Sequence, residues 1–186
     1  MSLTGNQSAK STYSAEIKSL DAALTKKCVG ALTLAGTQAY ECVTNINAGT
    51  VLVQGSLSDN TDVSIASGAT YRLGSNDQIK SVGCAGTLDM DIYSLTVANT
   101  ADLSLAGLSG ASSSAFTKTG TGTLNLIGDN DFAGKFYINE GTLQVSNESA
   151  LGDSKEIEWN GGTLRISISG ADDVDTDNAY TLNDAG

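Results

Sequence analysis

The stretch FTKTGTGTLNLIGDNDFAGKFYINEGTLQVS, residues 116–146, decides the fold because it occurs twice in the chain. It aligns without a gap on residues 24–54, LTKKCVGALTLAGTQAYECVTNINAGTVLVQ, and eleven of the 31 positions are identical. Both copies keep the same order of apolar positions, which Gly, Thr and Ser matching alone would not easily preserve. Such self-similarity is typical of repeat architectures. The residues expected to carry the structural repeat are Gly30, Leu32, Leu34, Gly49, Thr50, Gly122, Leu124, Leu126, Gly141, Thr142 and Leu143.

A shorter period lies inside the long one, and a Gly-Thr or Gly-x-Thr followed by an apolar residue marks it. These marks begin at Gly49, Gly68, Gly86, Gly122, Gly141 and Gly161. The steps between them are 19, 18, 36, 19 and 20 residues, and the step of 36 is interpreted as twice 18. After each mark, Leu, Val and Ile alternate with polar residues, which indicates a strand with one buried face.

About 19 residues per unit is the amount of chain that one coil of a parallel β-solenoid needs. A single coil cannot bury its inner row alone, but stacked coils join those rows into one core. We therefore expect Leu124 beside Leu143 and Leu126 beside Val145. The absence of Pro fits this fold, because central strands need every N–H. A β-sandwich is the competing architecture, but it gives no reason for a fixed 19-residue step.

Composition excludes several classes of function. The 186 residues are 40% hydrophobic, which is enough for a core, and they include no His. Without His the chain cannot build a Ser-His-Asp or Cys-His site or an imidazole base. The net charge of −11 argues against binding nucleic acid. Apolar runs are only a few residues long, so no membrane insertion is expected.

The N-terminal region differs from the rest. Met1-Ser2-Leu3 resembles an expression scar, no signal peptide follows, and Gly186 is not a natural ending, so we expect a piece of a longer protein. Residues 1–23 are interpreted as this scar with a cap or first coil, and residues 24–186 as β-helix. Residues 14–24 carry apolar residues at helical spacing, yet the repeat register favours a strand there.

The segment 116–152 resembles the passenger-associated transport repeat of bacterial autotransporter proteins. Residues 24–54 resemble a second, more degenerate copy, and the resemblance covers roughly residues 24–186. The elements shared in the second copy are Thr117-Lys118-Thr119-Gly120, Gly122-Thr123-Leu124, Leu126, Gly128, Asn130, Gly134, Asn139, Gly141-Thr142-Leu143 and Ala150-Leu151-Gly152.

The resemblance implies a right-handed parallel β-helix in the passenger of a type V secreted protein. It also implies a partner, the parent's own outer-membrane β-barrel translocator, and a location on the Gram-negative cell surface or outside the cell. Coils that stack one by one on emerging would resist backsliding without nucleotide hydrolysis. We therefore interpret the chain as a non-catalytic stalk segment that aids secretion and display. The alternatives are an adhesive module that binds a host ligand and a β-helix enzyme acting on polysaccharide.

The enzyme alternative depends on Asp89 and Asp91, which should share an outward face as a carboxylate pair. Arg72 or Arg165 would supply positive charge. Asp89 and Asp91 alternate along the strand with Leu88, Met90 and Ile92, which are expected to point inward. Outward Asp on a strand is ordinary solubilising chemistry, so we assign no catalytic residue and no cofactor.

Two further groups of residues invite a chemical reading. Cys28 and Cys42 stand where the second copy has Gly, and an oxidising periplasm would allow a disulfide between them. Their spacing of 14 residues is not a coil period, however, so they need not stack. Cys84 is expected to be a buried small apolar residue. The acidic residues that resemble a Ca²⁺ site, but favour a solvated loop, are Asp172, Asp173, Asp175 and Asp177.

Overall fold

The computed structural model describes residues 2–3, 11–14, 17, 21–154, 156–167 and 181–184. Within these ranges the elements are short β-strands and one four-residue 3-10 helix, Glu148–Leu151. The strands form three sheets of nine, seven and six strands.

The nine-stranded sheet contains, in spatial order, β1 (Ser2–Leu3), β3 (Leu24–Lys26), β5 (Thr44–Ile46), β7 (Asp62–Ile65), β10 (Ser81–Cys84), β13 (Leu103–Leu105), β16 (Thr123–Leu126), β19 (Thr142–Val145) and β21 (Thr163–Ile166). The seven-stranded sheet contains β2 (Ser11–Tyr13), β4 (Ala31–Leu34), β6 (Gly49–Val53), β8 (Ala69–Leu73), β11 (Thr87–Asp89), β14 (Leu108–Gly110) and β17 (Asp131–Phe132). The six-stranded sheet contains β9 (Asp77–Ile79), β12 (Leu95–Val97), β15 (Ala115–Lys118), β18 (Lys135–Ile138), β20 (Glu156–Trp159) and β22 (Thr181–Asp184).

The strand pairs are parallel, and each strand pairs with the strand one turn further along the chain. For example, β16 pairs with β19, and β18 pairs with β20. The result is a parallel β-solenoid of about 7 turns with roughly 20 residues per turn. This confirms the predicted all-β parallel solenoid, because a sandwich would need antiparallel hairpins.

The core is a set of ladders that run along the solenoid axis. Leu124 pairs with Leu143 and Leu126 pairs with Val145, and all four side chains are buried. The predicted neighbours are therefore confirmed. Phe136 packs against two other aromatic rings, with centroid distances of 5.9 Å to Phe116 and 4.8 Å to Phe132. Full burial of each such side chain contributes about 2 kcal/mol from the apolar area removed from water.

The two copies of the long repeat lie on different faces of the solenoid. The first copy begins with β3 in the nine-stranded sheet and continues with β4 in the seven-stranded sheet. The second begins with β15 in the six-stranded sheet and continues with β16 in the nine-stranded sheet. An offset of 92 residues is not a whole number of turns of roughly 20 residues.

This shift also corrects the short period. Gly49, Gly68 and Gly86 open or precede strands of the seven-stranded sheet, whereas Gly122 and the later marks precede strands of the nine-stranded sheet. Between Gly86 and Gly122 the chain makes one full turn, from β11 to β14, and then passes along the six-stranded sheet to reach β16. The interpretation of the 36-residue step as twice 18 is therefore wrong.

The alternation of inward residues predicted after Gly86 holds at two positions and fails at the third. Leu88 and Met90 are buried as predicted, but Ile92 is 56% exposed. The strand ends at Asp89, and Asp91 adopts a φ of 50°, so the alternation does not reach Ile92.

The segment 14–24 lies partly outside the described residues. Its described positions before Leu24 belong to no strand and no helix, although Ile17 is buried. Within the described part of the chain, no helix has the length and apolar content needed to cross a membrane.

Candidate functional site

Each copy of the repeat contains a corner where the chain passes from one sheet to the next, and a buried lysine lies at that corner. Lys26 closes β3 and Lys118 closes β15, and their exposed fractions are 2% and 1%. The Nζ of Lys118 donates a hydrogen bond to the carbonyl oxygen of Gly120. The Nζ of Lys26 donates to the carbonyl oxygen of Cys28 and, at 3.3 Å, to that of Ala48 in the next turn. The ammonium therefore joins carbonyls within a corner and, in the first copy, between turns.

Alternation places these lysines on the inward row. Leu24 and Phe116, two residues earlier in each copy, are buried on the same side of their strands. Burial lowers the pKa of Lys118, and the nearby carboxylates of Glu140 and Asp102 oppose that shift. A buried ammonium is tolerated only where it is hydrogen-bonded, and the corner carbonyls meet that need.

A glycine of the following turn lies directly over each corner. Gly49 and Gly141 have φ angles of 68° and 71°. A Cβ atom on Gly141 would lie 2.2 Å from the carbonyl oxygen of Gly120, and one on Gly49 would lie 2.4 Å from that of Gly30. Both the backbone angle and the close approach of the two turns therefore require glycine.

A buried side-chain amide lies after the strand that follows each corner, where the chain turns again. Gln38 and Asn130 occupy equivalent positions in the two copies. The Oε1 of Gln38 accepts from the N–H of Ile17 at 3.0 Å, and the Oδ1 of Asn130 accepts from the N–H of Leu108 at 2.8 Å. Asn130 also donates through Nδ2 to the carbonyl oxygen of Ala150 in the following turn. These amides tie one turn to its neighbours and satisfy buried backbone groups.

We call these three features the corner motif, and it is the candidate functional site. Its members are Lys26, Gln38 and Gly49 in the first copy and Lys118, Asn130 and Gly141 in the second. The glycines and the inward leucines were predicted from the repeat, but the role of the lysines was not. The signal was present, because Thr25-Lys26 and Thr117-Lys118 are identical and each lysine follows an inward apolar residue at a spacing of two.

A second buried polar group lies near the middle of the stack. Asp77 is 8% exposed, and its carboxylate accepts from the N–H groups of Leu57 at 3.3 Å and Gln78 at 3.0 Å and from the hydroxyl of Tyr71 at 3.0 Å. Burial raises the pKa of Asp77 to about 6, although these hydrogen bonds lower it. Burial also raises the pKa of Tyr71 well above its ordinary value. Asp77 is therefore a carboxyl group that pays a desolvation cost when it ionises in the folded protein.

The predicted carboxylate pair does come together, but around a cation. Arg72 binds Asp89 through Nε at 3.3 Å and Asp91 through a terminal guanidinium nitrogen at 2.9 Å. Both ion pairs are partly exposed, and they raise the pKa of Arg72. Arg165 lies on β21 in a different sheet. The arrangement is that of a surface ion cluster, which contributes little stability.

All three cysteines are free thiols in the structure. Cys28 follows the C-terminal end of β3, whereas Cys42 precedes the N-terminal end of β5. Because β3 and β5 are parallel partners, the two thiols lie at opposite ends of this strand pair. A disulfide needs Cα atoms within about 7 Å, so the register argues against the bridge, and thiol counting decides it.

Cys84 is buried as predicted, and burial raises its pKa to about 11, so it is a thiol at neutral pH. Among the described residues, no group of three or more His, Cys, Asp or Glu could hold a metal ion. The acidic segment that was considered for Ca²⁺, residues 172–177, lies outside the described residues.

Comparison with known proteins assigns the corner regions to a family. The profile of the passenger-associated transport repeat matches residues 24–53 and 116–145, the segments that carry the two corner motifs. The chain is 36% identical over 122 residues to a protein described as "Adhesin BmaC autotransporter" from Brucella suis biovar 1 (strain 1330). This alignment covers 65% of the chain but only 3% of that relative. No solved structure matches the chain.

The fold and the two corner motifs together place the chain in one class of protein, the parallel β-solenoids that are built from passenger repeats. The chain contains two passenger-associated transport repeats and is similar over part of its length to an autotransporter adhesin, and both findings support an autotransporter passenger with these repeats.

Proposed function

We propose that this segment is a non-catalytic stalk of an autotransporter passenger, and that its two transport repeats are units that fold locally during secretion. One observation carries the proposal. Each copy contains two strand–corner–strand layers that hydrogen-bond to each other within about 30 residues. In the first copy β3 pairs with β5 and β4 pairs with β6, and in the second β15 pairs with β18 and β16 with β19.

The closeness of these partners in the chain favours early folding. The paired residues are separated by 19 or 20 positions, as in Leu124 with Leu143 and Phe116 with Phe136. Closing short loops costs less conformational entropy than closing long ones, and local contacts form fast.

Turns between the repeats pair at similar separations, 17 positions for Thr87 with Thr70 and 18 for Leu95 with Asp77, so loop length alone does not single out the repeats. The corner motif does, because it adds a hydrogen bond between turns from Lys26 in the first copy and from Asn130 in the second. A repeat that has left the secretion channel can therefore fold before the rest of the passenger follows.

A folded two-layer unit also presents unpaired strand edges to the next turn. Each further turn adds to that edge, buries its inward row and is then too wide to return through the channel. Stacking would thus bias movement outward without nucleotide hydrolysis. Support for the setting comes from the repeat family and the adhesin relative. In this proposal the partner is the parent's own outer-membrane translocator, and the stalk holds a more distal region away from a Gram-negative cell.

Pulse-labelling hydrogen exchange during refolding of the chain tests the proposal. Amides of β5, β6, β18 and β19 should become protected before those of β9 to β12, which lie between the repeats. The variant Gly141→Ala should delay protection in the second copy. Gly68→Ala is the matched control, because Gly68 has a φ of 77° but nothing within 4 Å of an added Cβ. Protection that appears first between the repeats would refute a nucleating role.

The two alternative functions, a polysaccharide-cleaving enzyme and an adhesive module, differ in the observations that support them. Asp89 and Asp91, on which a polysaccharide-cleaving enzyme depended, both bind Arg72, and we do not propose that activity. Direct adhesion has one observation in its favour, a surface cleft with charged side chains in its lining at one edge of the solenoid.

A further inference from the structure

The cleft lies where the seven-stranded sheet turns into the six-stranded sheet. Three successive turns contribute to it, and its volume is about 340 Å³. Small-ligand pockets range from about 300 to 1,000 Å³, so the cleft has room for one compact ligand. The described residues that line it are Ser112, Ala133, Gly134, Lys135, Asp153 and Glu156.

The cleft exists because the middle turn presents the two smallest side chains. Ala133 and Gly134 lie between Ser112 of the preceding turn and Asp153 of the following turn. A Cβ on Gly134 would lie 2.4 Å from the carbonyl oxygen of Ser114, so the backbone there sits directly on the turn before it. Phe132 packs into the core immediately beside this floor. The floor of the cleft is thus fixed by the backbone of the stack.

Its walls offer both donors and acceptors. The Nζ of Lys135 lies 2.8 Å from Oε2 of Glu156 and 3.8 Å from Oε2 of Glu158. The same ammonium lies 5.6 Å from the ring centroid of Tyr137. An ammonium has three N–H donors and a carboxylate accepts several hydrogen bonds, so this pair retains capacity for a ligand. Asp153, in the same turn as Glu156, adds an exposed carboxylate to the lining.

We propose that this cleft binds one ring of a neutral saccharide. Vicinal hydroxyls both donate and accept, which suits a carboxylate and an ammonium held side by side. An anionic sugar would meet Asp153 and Glu156 on a chain of net charge −11, so sulfated or acidic glycans are disfavoured. The described lining contains no large apolar side chain, which disfavours a hydrophobic ligand. This binding function is independent of the stalk role, since it uses outward side chains and leaves the inward rows of the stack untouched.

Amide chemical-shift mapping of the 186-residue chain with neutral monosaccharides and disaccharides tests the proposal. Glucose, galactose, mannose, N-acetylglucosamine and lactose are the probes, titrated to tens of millimolar. We expect saturable shifts that are confined to residues 111–115 and 133–135 and to Asp153 and Glu156. Ala133→Leu fills the floor with an outward side chain and should abolish the shifts.

Two variants keep the test decisive if Ala133→Leu fails to fold. Glu156→Gln keeps the shape of the side chain and should weaken binding about tenfold, because a charge-assisted hydrogen bond is lost. Asp129→Asn makes the same charge change at an exposed residue outside the lining and should leave binding unchanged. The proposal is overturned if no sugar shifts these amides or if the shifts cluster elsewhere. It is also overturned if only a heparin fragment or an oligolysine peptide occupies the cleft.

Discussion

Replacing Asp77 with Asn should make the solenoid more stable at neutral pH and remove part of its pH dependence. Asp77 is buried, and the described residues provide three hydrogen bonds but no cation beside its carboxylate. An Asn oxygen in the place of Oδ1 can still accept from the N–H groups of Leu57 and Gln78. Its amide nitrogen, in the place of Oδ2, can donate to the Tyr71 hydroxyl, which then turns round to accept. The substitution therefore removes a charge and keeps an acceptor for both N–H groups, but the proton of the buried Tyr71 hydroxyl loses its acceptor, which offsets part of the gain.

The size of the effect follows from the pKa. In the folded protein the pKa of Asp77 is about 6, against an ordinary value of 3.8. The folded state therefore holds the proton more tightly than the unfolded chain does. The stability this provides is present below about pH 4 and is lost as the pH rises through 6. Each pH unit in this window is worth about 1.4 kcal/mol, so the loss totals about 3 kcal/mol.

Urea unfolding of both proteins from pH 4 to pH 8 measures this. The difference in free energy of unfolding between Asp77→Asn and the parent should move by about 3 kcal/mol in favour of the variant between pH 4 and pH 7, and then stay constant. Asp129→Asn, at an exposed position, should show no such rise. A difference that is flat across the range would refute the argument that burial sets the pKa of Asp77.

Three other substitutions or measurements address the stack itself. Leu124→Asp should lower the free energy of unfolding by more than about 4 kcal/mol, because it buries an unpaired charge. Asn125→Asp, on the outward row of the same strand, should change it little. Equal urea midpoints for the two variants would mean that the inward assignment of Leu124 is wrong. Gly141→Ala and Gly128→Ala both place Ala at a φ near 70°, which costs about 1 kcal/mol of stability. Only Gly141 lies over corner carbonyls, so Gly141→Ala should lower the free energy of unfolding by at least about 2 kcal/mol more than Gly128→Ala in the same assay. Equal losses would contradict the close approach of the two turns at Gly141. Thiol counting under denaturing, non-reducing conditions should find three free thiols per chain. A count of one would contradict this, and peptide mapping of the linked fragments would then show whether Cys28 and Cys42 are the bridged pair.

The solenoid was predictable because its inward rows are simple. Leu124, Leu126 and Leu143 alternate with polar residues at a spacing of two, and the short period repeats that pattern about once per turn. Alternation alone therefore places the buried ladder. It fails at Ile92, where the backbone of Asp91 has a positive φ and the strand has already ended, and no hydrophobic pattern reports such a bend.

The corner lysines were harder to find because their chemistry contradicts the usual rule for burial. Lysine is almost never fully buried unless it has partners, so Lys26 and Lys118 suggest a solvent-facing position when they are considered singly. Their partners are backbone carbonyls, which every residue carries and which the sequence therefore cannot distinguish. Only the match between the copies, together with the inward position two residues earlier, contains the signal.

The sheets to which the strands of each repeat belong could not be predicted, for a different reason. A sequence alignment places Leu32 on Leu124, but the first lies in the seven-stranded sheet and the second in the nine-stranded sheet. In the structure Leu124 instead stacks, turn by turn, above Leu24, which lies 100 residues earlier. Sequence similarity identifies local structure, whereas the face on which a strand lies depends on the summed length of every preceding turn.

That same shift explains what the repeat encodes. One corner motif turns the chain from the nine-stranded to the seven-stranded sheet, and the other turns it from the six-stranded to the nine-stranded sheet. The neighbouring turns at these two edges differ in sequence, yet the buried lysine, the glycine above it and the amide keep the same relation. The bend is therefore fixed by contacts within the repeat and the turns it touches directly, not by its place around the axis. A unit with that property can start a stack wherever it emerges, which is what our proposal of folding during secretion requires.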